Sequence, residues 1–117
     1  MSTRCNILIR GYKHTFTLYH HHDGYPEGVG ADLKRRMAGT SFRADGFANL
    51  LVKDQEDEYE IAASLSNDIE YLYTVDLDYN TQRLRCYKVD FKDLLPDGRP
   101  DARIICQNKN LIEIPEE

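Results

Sequence analysis

The densest chemistry in this chain lies between residues 18 and 30. The run Leu18-Tyr19-His20-His21-His22-Asp23-Gly24-Tyr25-Pro26-Glu27-Gly28-Val29-Gly30 holds three histidines, an aspartate, two tyrosines, a proline and three glycines. On an extended chain His20 and His22 point to one side, with Cα atoms roughly 6.6 Å apart, a spacing at which two imidazoles can converge on one ion. Asp23 would add an oxygen, and His14 or a distant acid would complete a four-coordinate site for zinc, iron or manganese. No cofactor is expected of the chain; a divalent metal at this segment is the alternative. The structural alternative makes His20 and His22 rim residues bonded to backbone, with His21 in solvent.

The glycines offer a second chemistry. Gly28 and Gly30 precede a helix-like stretch, where free N–H groups and the positive end of the helix dipole meet. Glycine lets a ligand come close to the backbone, and Lys34, Arg35 and Arg36 follow. This reads as a seat for a phosphate or carboxylate, although neither a P-loop ending nor a GxGxxG spacing is present. Tyr19 and Tyr25 flank the segment, where their rings would stack on a base or on a partner's side chain. Alternatively, Tyr25-Pro26 staples the loop to the helix.

Elements on both sides must hold this loop. Cys5 to Arg10 is an apolar strand-like run closed by Gly11. From His14 to His22 the chain alternates: Phe16, Leu18, His20 and His22 share one face, Thr15, Thr17, Tyr19 and His21 the other. Asp23-Gly24 is a turn pair, and Tyr25 before Pro26 is pushed toward extended backbone. Val29, Leu33 and Met37 recur every four residues, predicting a helix closed by Gly39. Thr40-Ser41 offers the next N-cap, and Ala44, Phe47, Ala48 and Leu51 form a second helical stripe. Period two returns at Tyr59 to Leu65 and again at Ile69 to Leu77. Leu84 to Val89 reads as an antiparallel partner, with Arg83, Arg85 and Lys88 facing Asp76, Asp78 and Glu70. Phe91 to Leu95 suggests a helical turn, Ala102 to Cys106 a last strand, and Leu111 to Ile114 a strand extension or a docked arm. The order is β-β-α-α-β-β-β. It predicts a single α+β domain over residues 1–117, a mainly antiparallel sheet of five or six strands with two helices on one face.

Composition narrows the function classes. The 117 residues carry 20 acids against 15 bases, a net charge of −5, which disfavours general nucleic-acid binding. The acids gather at Asp54-Gln55-Glu56-Asp57-Glu58 and Glu116-Glu117. Three cysteines (Cys5, Cys86 and Cys106) without CxxC spacing read as buried free thiols of a reducing cytoplasm. Neither a secretory h-region nor a membrane-length apolar run is visible, so a cytoplasmic protein is expected.

The loop also resembles a known pattern. Leu18 to Leu33 is similar to "L/IY-x-H-x-DGYP-x-x-x-G-x-x-L", found near the N-terminus of small, mostly uncharacterised proteins of phages and prophages. Ile69-Glu70-Tyr71-Leu72-Tyr73 with Val75-Asp76 resembles their later "EY-x-Y-x-V/I-D" strand. The motif residues here are Tyr19, His21, Asp23, Gly24, Tyr25, Pro26 and Gly30. The resemblance makes His21 the motif histidine, on the face opposite His20 and His22. It implies an accessory protein that binds a host or defence component, in the host cytoplasm, and brings no catalytic residues or cofactor.

Three readings follow. In the leading one the protein is a binding module for such a protein or a small nucleotide-like ligand, with Tyr19, His21, Asp23, Tyr25, Gly28, Gly30 and Lys34 at the contact. In the second it is a metal- or histidine-dependent phosphoester hydrolase. There the histidines are ligands or acid–base groups, Asp23 orients them, and the Gly28–Gly30 amides seat the phosphate. In the third the segment is architectural, and the tyrosine-rich sheet forms a homodimer or virion contact.

Overall fold

The strand β1 (Cys5–Arg10) is buried at five successive residues, Cys5 to Ile9. Burial on both faces marks a strand with neighbours on each side and cover above and below. The computed structural model, which describes residues 3–38, 43–53, 58–78, 81–90, 92 and 94–115, shows both. An antiparallel hairpin joins β1 to β2 (Thr15–His20), with Cys5 opposite His20 and Arg10 opposite Thr15. A π-helical turn (Pro26–Gly30) leads into α1 (Ala31–Met37), followed by α2 (Ala44–Lys53). Strand β3 (Tyr59–Ile61) pairs with β2 at the border of the sheet. The chain then returns to the other side of β1 as β4 (Tyr71–Leu77), turns back as β5 (Gln82–Lys88), and ends with α3 (Ala102–Ile105) and β6 (Leu111–Ile112). The six strands lie in the order β3-β2-β1-β4-β5-β6.

The fold is α+β and the sheet mostly antiparallel, as the alternation predicted. One pairing departs from that pattern: β1 and β4 run parallel, Cys5 beside Tyr71 and Arg10 beside Asp76. The cause is the length of chain between them. A tight turn joins only antiparallel neighbours, whereas two helices and a border strand allow a crossover. Residues 62–70 make the return beneath the sheet. There Ser66 donates its N–H to Asn6 Oδ1 (2.8 Å), and the fully buried Asn6 amide donates to Leu18 O (2.9 Å).

On the upper face Ile7, Ile9, Leu18, Tyr73, Val75 and Cys86 pack under the helices. The stripe Ala44, Phe47, Ala48 and Leu51 is buried throughout, as its spacing requires, and so are Val29, Leu33 and Met37. The lower face is also covered. Leu8, Leu72 and Tyr87 pack against Ile105 of α3, with Leu65, Val89, Ala102 and Cys106 around them. The two expected helices, α1 and α2, share one face, and the short α3 adds cover to the other. The expected last strand at Ala102 to Cys106 is corrected. Asp101 caps that segment as a short helix, its carboxylate accepting from Arg103 N at 2.9 Å. Leu111 and Ile112 extend the sheet, and Ile114 docks on the main core. Expectations at Gly39, Thr40-Ser41, Asp54 to Asp57, Tyr79-Asn80, Phe91, Asp93 and Glu116-Glu117 fall outside the described residues.

Gly46 lies on the exposed side of α2, and a Cβ there would meet nothing within 4 Å. Gly46→Ala should therefore stabilise the protein by about 0.5–1 kcal/mol, read as a higher urea midpoint with an unchanged slope. A lower midpoint would contradict this placement of the helix.

Candidate functional site

Strand β2 stops at His20, and the three histidines diverge from that point. Alternation carries Phe16, Leu18 and His20 toward the helices. The His20 ring lies against Tyr59, centroids 4.6 Å apart and tilted by 55°. Tyr59 donates its hydroxyl to Asp32 Oδ2 (2.9 Å), and Arg36 Nε donates to the same oxygen (3.0 Å); Arg35 also pairs with Asp32. Burial lowers the His20 pKa below its ordinary 6.5, opposed by the His22 backbone and by the charges of Glu58, Asp32 and Asp23. His21 emerges on the other face. Its Nδ1 accepts from Arg4 Nε (3.3 Å) and lies 3.3 Å from the Tyr19 hydroxyl, while Arg4 Nη1 reaches Asp68 (3.3 Å). Burial, then Asp68, raises the Tyr19 pKa. His22 Nε2 stands 3.6 Å from Glu58 Oε2, with its ring edge-on to His21.

The structure thus places His20 against Tyr59 and His22 beside Glu58 rather than around a common point. Among the described residues no group of three or more His, Cys, Asp or Glu is arranged to hold a metal ion. The strand ends at His20, two residues before His22, and Asp23 then takes φ +54.

The turn itself closes on its own backbone. Val29 N–H bonds to Asp23 O (2.8 Å), Gly28 N–H to Tyr25 O (2.9 Å) and Gly24 N–H to Thr3 O (2.9 Å). Tyr25 donates its hydroxyl to Asp23 Oδ1 at 3.1 Å. From the sheet below, Tyr73 donates to Gly24 O at 2.7 Å in a buried bond. A Cβ on Gly28 would stand 2.2 Å from Asp23 O, so this glycine serves the close approach of two parts of the turn. At Gly30 a Cβ would meet Ile114 and Tyr73 at 3.2 Å. The Gly28 and Val29 donors read in the sequence as an anion seat are therefore taken up inside the turn. The helix behind them, α1, has only seven residues. Lys34 lines a different feature, a hollow of about 620 Å³ with Met37, Leu84, Arg85, Ile112 and Ile114.

The thiols are held neutral. Burial, then Cys86, pushes Cys5 far up; burial raises Cys86 to about 12 and half-buried Cys106 as well. None has the electropositive, exposed setting that activates a thiolate.

Sequence reasoning paired Asp76 with Arg83, its ladder partner on β5. The structure gives the carboxylate to Arg10 of β1 instead, at 2.7 and 3.0 Å in a bidentate pair. Lys88 likewise lies 5.8 Å above the Tyr71 ring. No local signal reveals a bond across 66 positions; only the parallel neighbour does. Comparisons with family models, with curated proteins and with solved structures returned no match.

Two outcomes follow. Tyr73→Phe leaves the buried Gly24 carbonyl without this donor and should cost about 1–3 kcal/mol by urea unfolding; an unchanged midpoint would remove the bond from the account. Because the folded pKa of His20 lies below the unfolded one, its contribution is present above pH 6.5 and lost as pH falls below it. His20→Phe, which keeps a ring on Tyr59, should lose stability less steeply than the parent between about pH 7 and pH 5. Parallel curves would show that His20 does not titrate this way.

Proposed function

We propose that this protein is a binding module that grips another protein through the rim formed by His22, Asp23, Tyr25, Glu27 and Glu58. The observation that carries this reading is backbone strain. Among the described residues only Asp23 (φ 54) and Glu58 (φ 60) are non-glycines in the left-handed region, and both stand at this rim. Left-handed backbone costs about 1–2 kcal/mol for a residue such as Glu58, while aspartate tolerates it in turns. Glycine would relieve that cost, and such strain concentrates at clamps and contact sites. Here it holds Glu58 against His22.

Charge indicates the partner. Asp23 and Glu27 are exposed beside Tyr25, itself 37% exposed, and the exposed Glu58 stands against His22. An acidic aromatic rim suits a basic protein surface, with tyrosine as the apolar anchor. The acids, together with the satisfied Gly28 and Val29 amides, weigh against a phosphate-bearing ligand at this end. The phage-type resemblance adds the partner class: a host or defence protein.

The test places a photoreactive group at position 25 and cross-links in host lysate. One basic protein should be cross-linked by the parent and lost from a His22→Ala/Glu58→Gly variant whose melting temperature is equal or higher. Identical cross-links from both proteins would end the proposal.

A further inference from the structure

The opposite end of the sheet carries an independent feature. At Arg10 and Leu77 the parallel strands β1 and β4 end side by side. The chain leaves β1 toward β2 and leaves β4 toward β5, on opposite sides. Where connections diverge at the carboxyl ends of parallel strands, a crevice opens that proteins use for ligands. Here it is a hollow of about 340 Å³, lined by Arg10, Tyr12, Asp76, Thr81, Arg83 and Arg85 among others.

Its charges are arranged in rows. Arg10, Asp76 and Arg83 stand side by side across β1, β4 and β5 on the lower face, and Leu8, Thr74 and Arg85 form the next row. Asp76 gives both oxygens to Arg10, which fixes that guanidinium as a rigid wall. Arg83 and Arg85 have no carboxylate in salt-bridge contact among the described residues. In the second row the Thr74 hydroxyl, fully buried behind the lining, has no hydrogen-bond partner among the described residues. Tyr12, also in the lining, is 75% exposed, with the Lys13 ammonium 5.9 Å from its ring centroid. Three arginines outnumber the aspartates Asp76 and Asp78 in the lining.

We infer that this crevice binds a mononucleotide. Arg83 and Arg85 hold the phosphate, guanidinium being the planar fork that matches phosphate oxygens. Tyr12 stacks on the base. The volume of about 340 Å³ lies at the small end of ligand pockets, which suits one nucleotide. The Arg10–Asp76 pair need not open, because it serves as a rigid wall.

The test titrates the intact protein with each of the four ribonucleoside 5′-monophosphates, with the matching nucleosides and with inorganic phosphate, by melting temperature and calorimetry. At least one monophosphate should raise the melting temperature. Its nucleoside and phosphate alone should each bind roughly tenfold more weakly. Arg83→Gln, Arg85→Gln and Tyr12→Ala, each checked for an unchanged melting temperature without ligand, should each weaken the monophosphate by a similar factor. The His22→Ala/Glu58→Gly variant should bind it as the parent does, which separates this site from the rim. No shift with any monophosphate, equal affinity for phosphate alone, or full affinity in the arginine variants would overturn the inference.

Discussion

The parallel contact between β1 and β4 is the constraint from which the rest of the molecule is built. Both strands are apolar along most of their length and are buried from above and below. Parallel neighbours cannot be joined by a hairpin, so the intervening chain must travel. It does so by building the helical layer, adding β3 to the border and crossing beneath the sheet at Ser66. The two ends of the sheet inherit different characters from this one pairing. At one end the histidine-bearing turn is drawn onto the sheet by Tyr73. At the other the diverging connections leave a gap walled by guanidinium groups.

The turn shows how a segment rich in reactive side chains can be mostly architecture. Asp23, Gly24, Gly28 and Gly30 are chosen for backbone geometry: a left-handed residue, a close pass over Thr3 and Cys5, a second pass over Asp23, and a seat for Tyr73 and Ile114. The polar side chains then sort themselves by face. His20 joins the wall that Tyr59 and Asp32 make with α1, while His21 joins Arg4 and Tyr19. What remains at the surface is a narrow acidic lip with one tyrosine, and its strained backbone sets it apart from the rest of the turn.

Much of the layer plan was legible because periodicity reports burial. Ala44, Phe47, Ala48 and Leu51 face the sheet as their spacing demands, while β4, whose sequence alternates, is buried on both faces at Leu72 to Val75. Three things were not legible for physical reasons. The direction of β1 beside β4 depends on how far the chain travels between them, which no local pattern encodes. The helix at Ala102 was hidden because Ala-Arg-Ile-Ile is apolar enough for a strand, and the Asp101 cap decided it. At the candidate site the residue types and the turn were legible, but the partners of each group come from Thr3, Arg4, Glu58 and Tyr73, elsewhere in the chain.

The borders of the sheet have a consequence for solubility. Strand β3 offers three residues and β6 only two, and the outer side of β5 from Gln82 to Arg85 lies beyond the reach of β6. An unprotected border of that kind is a template on which like chains can polymerise into ribbons. Arg83 and Arg85 interrupt it with like charges that two stacked copies would have to bring together. The guanidinium groups thereby act as gatekeepers against fibril growth, whatever else they hold.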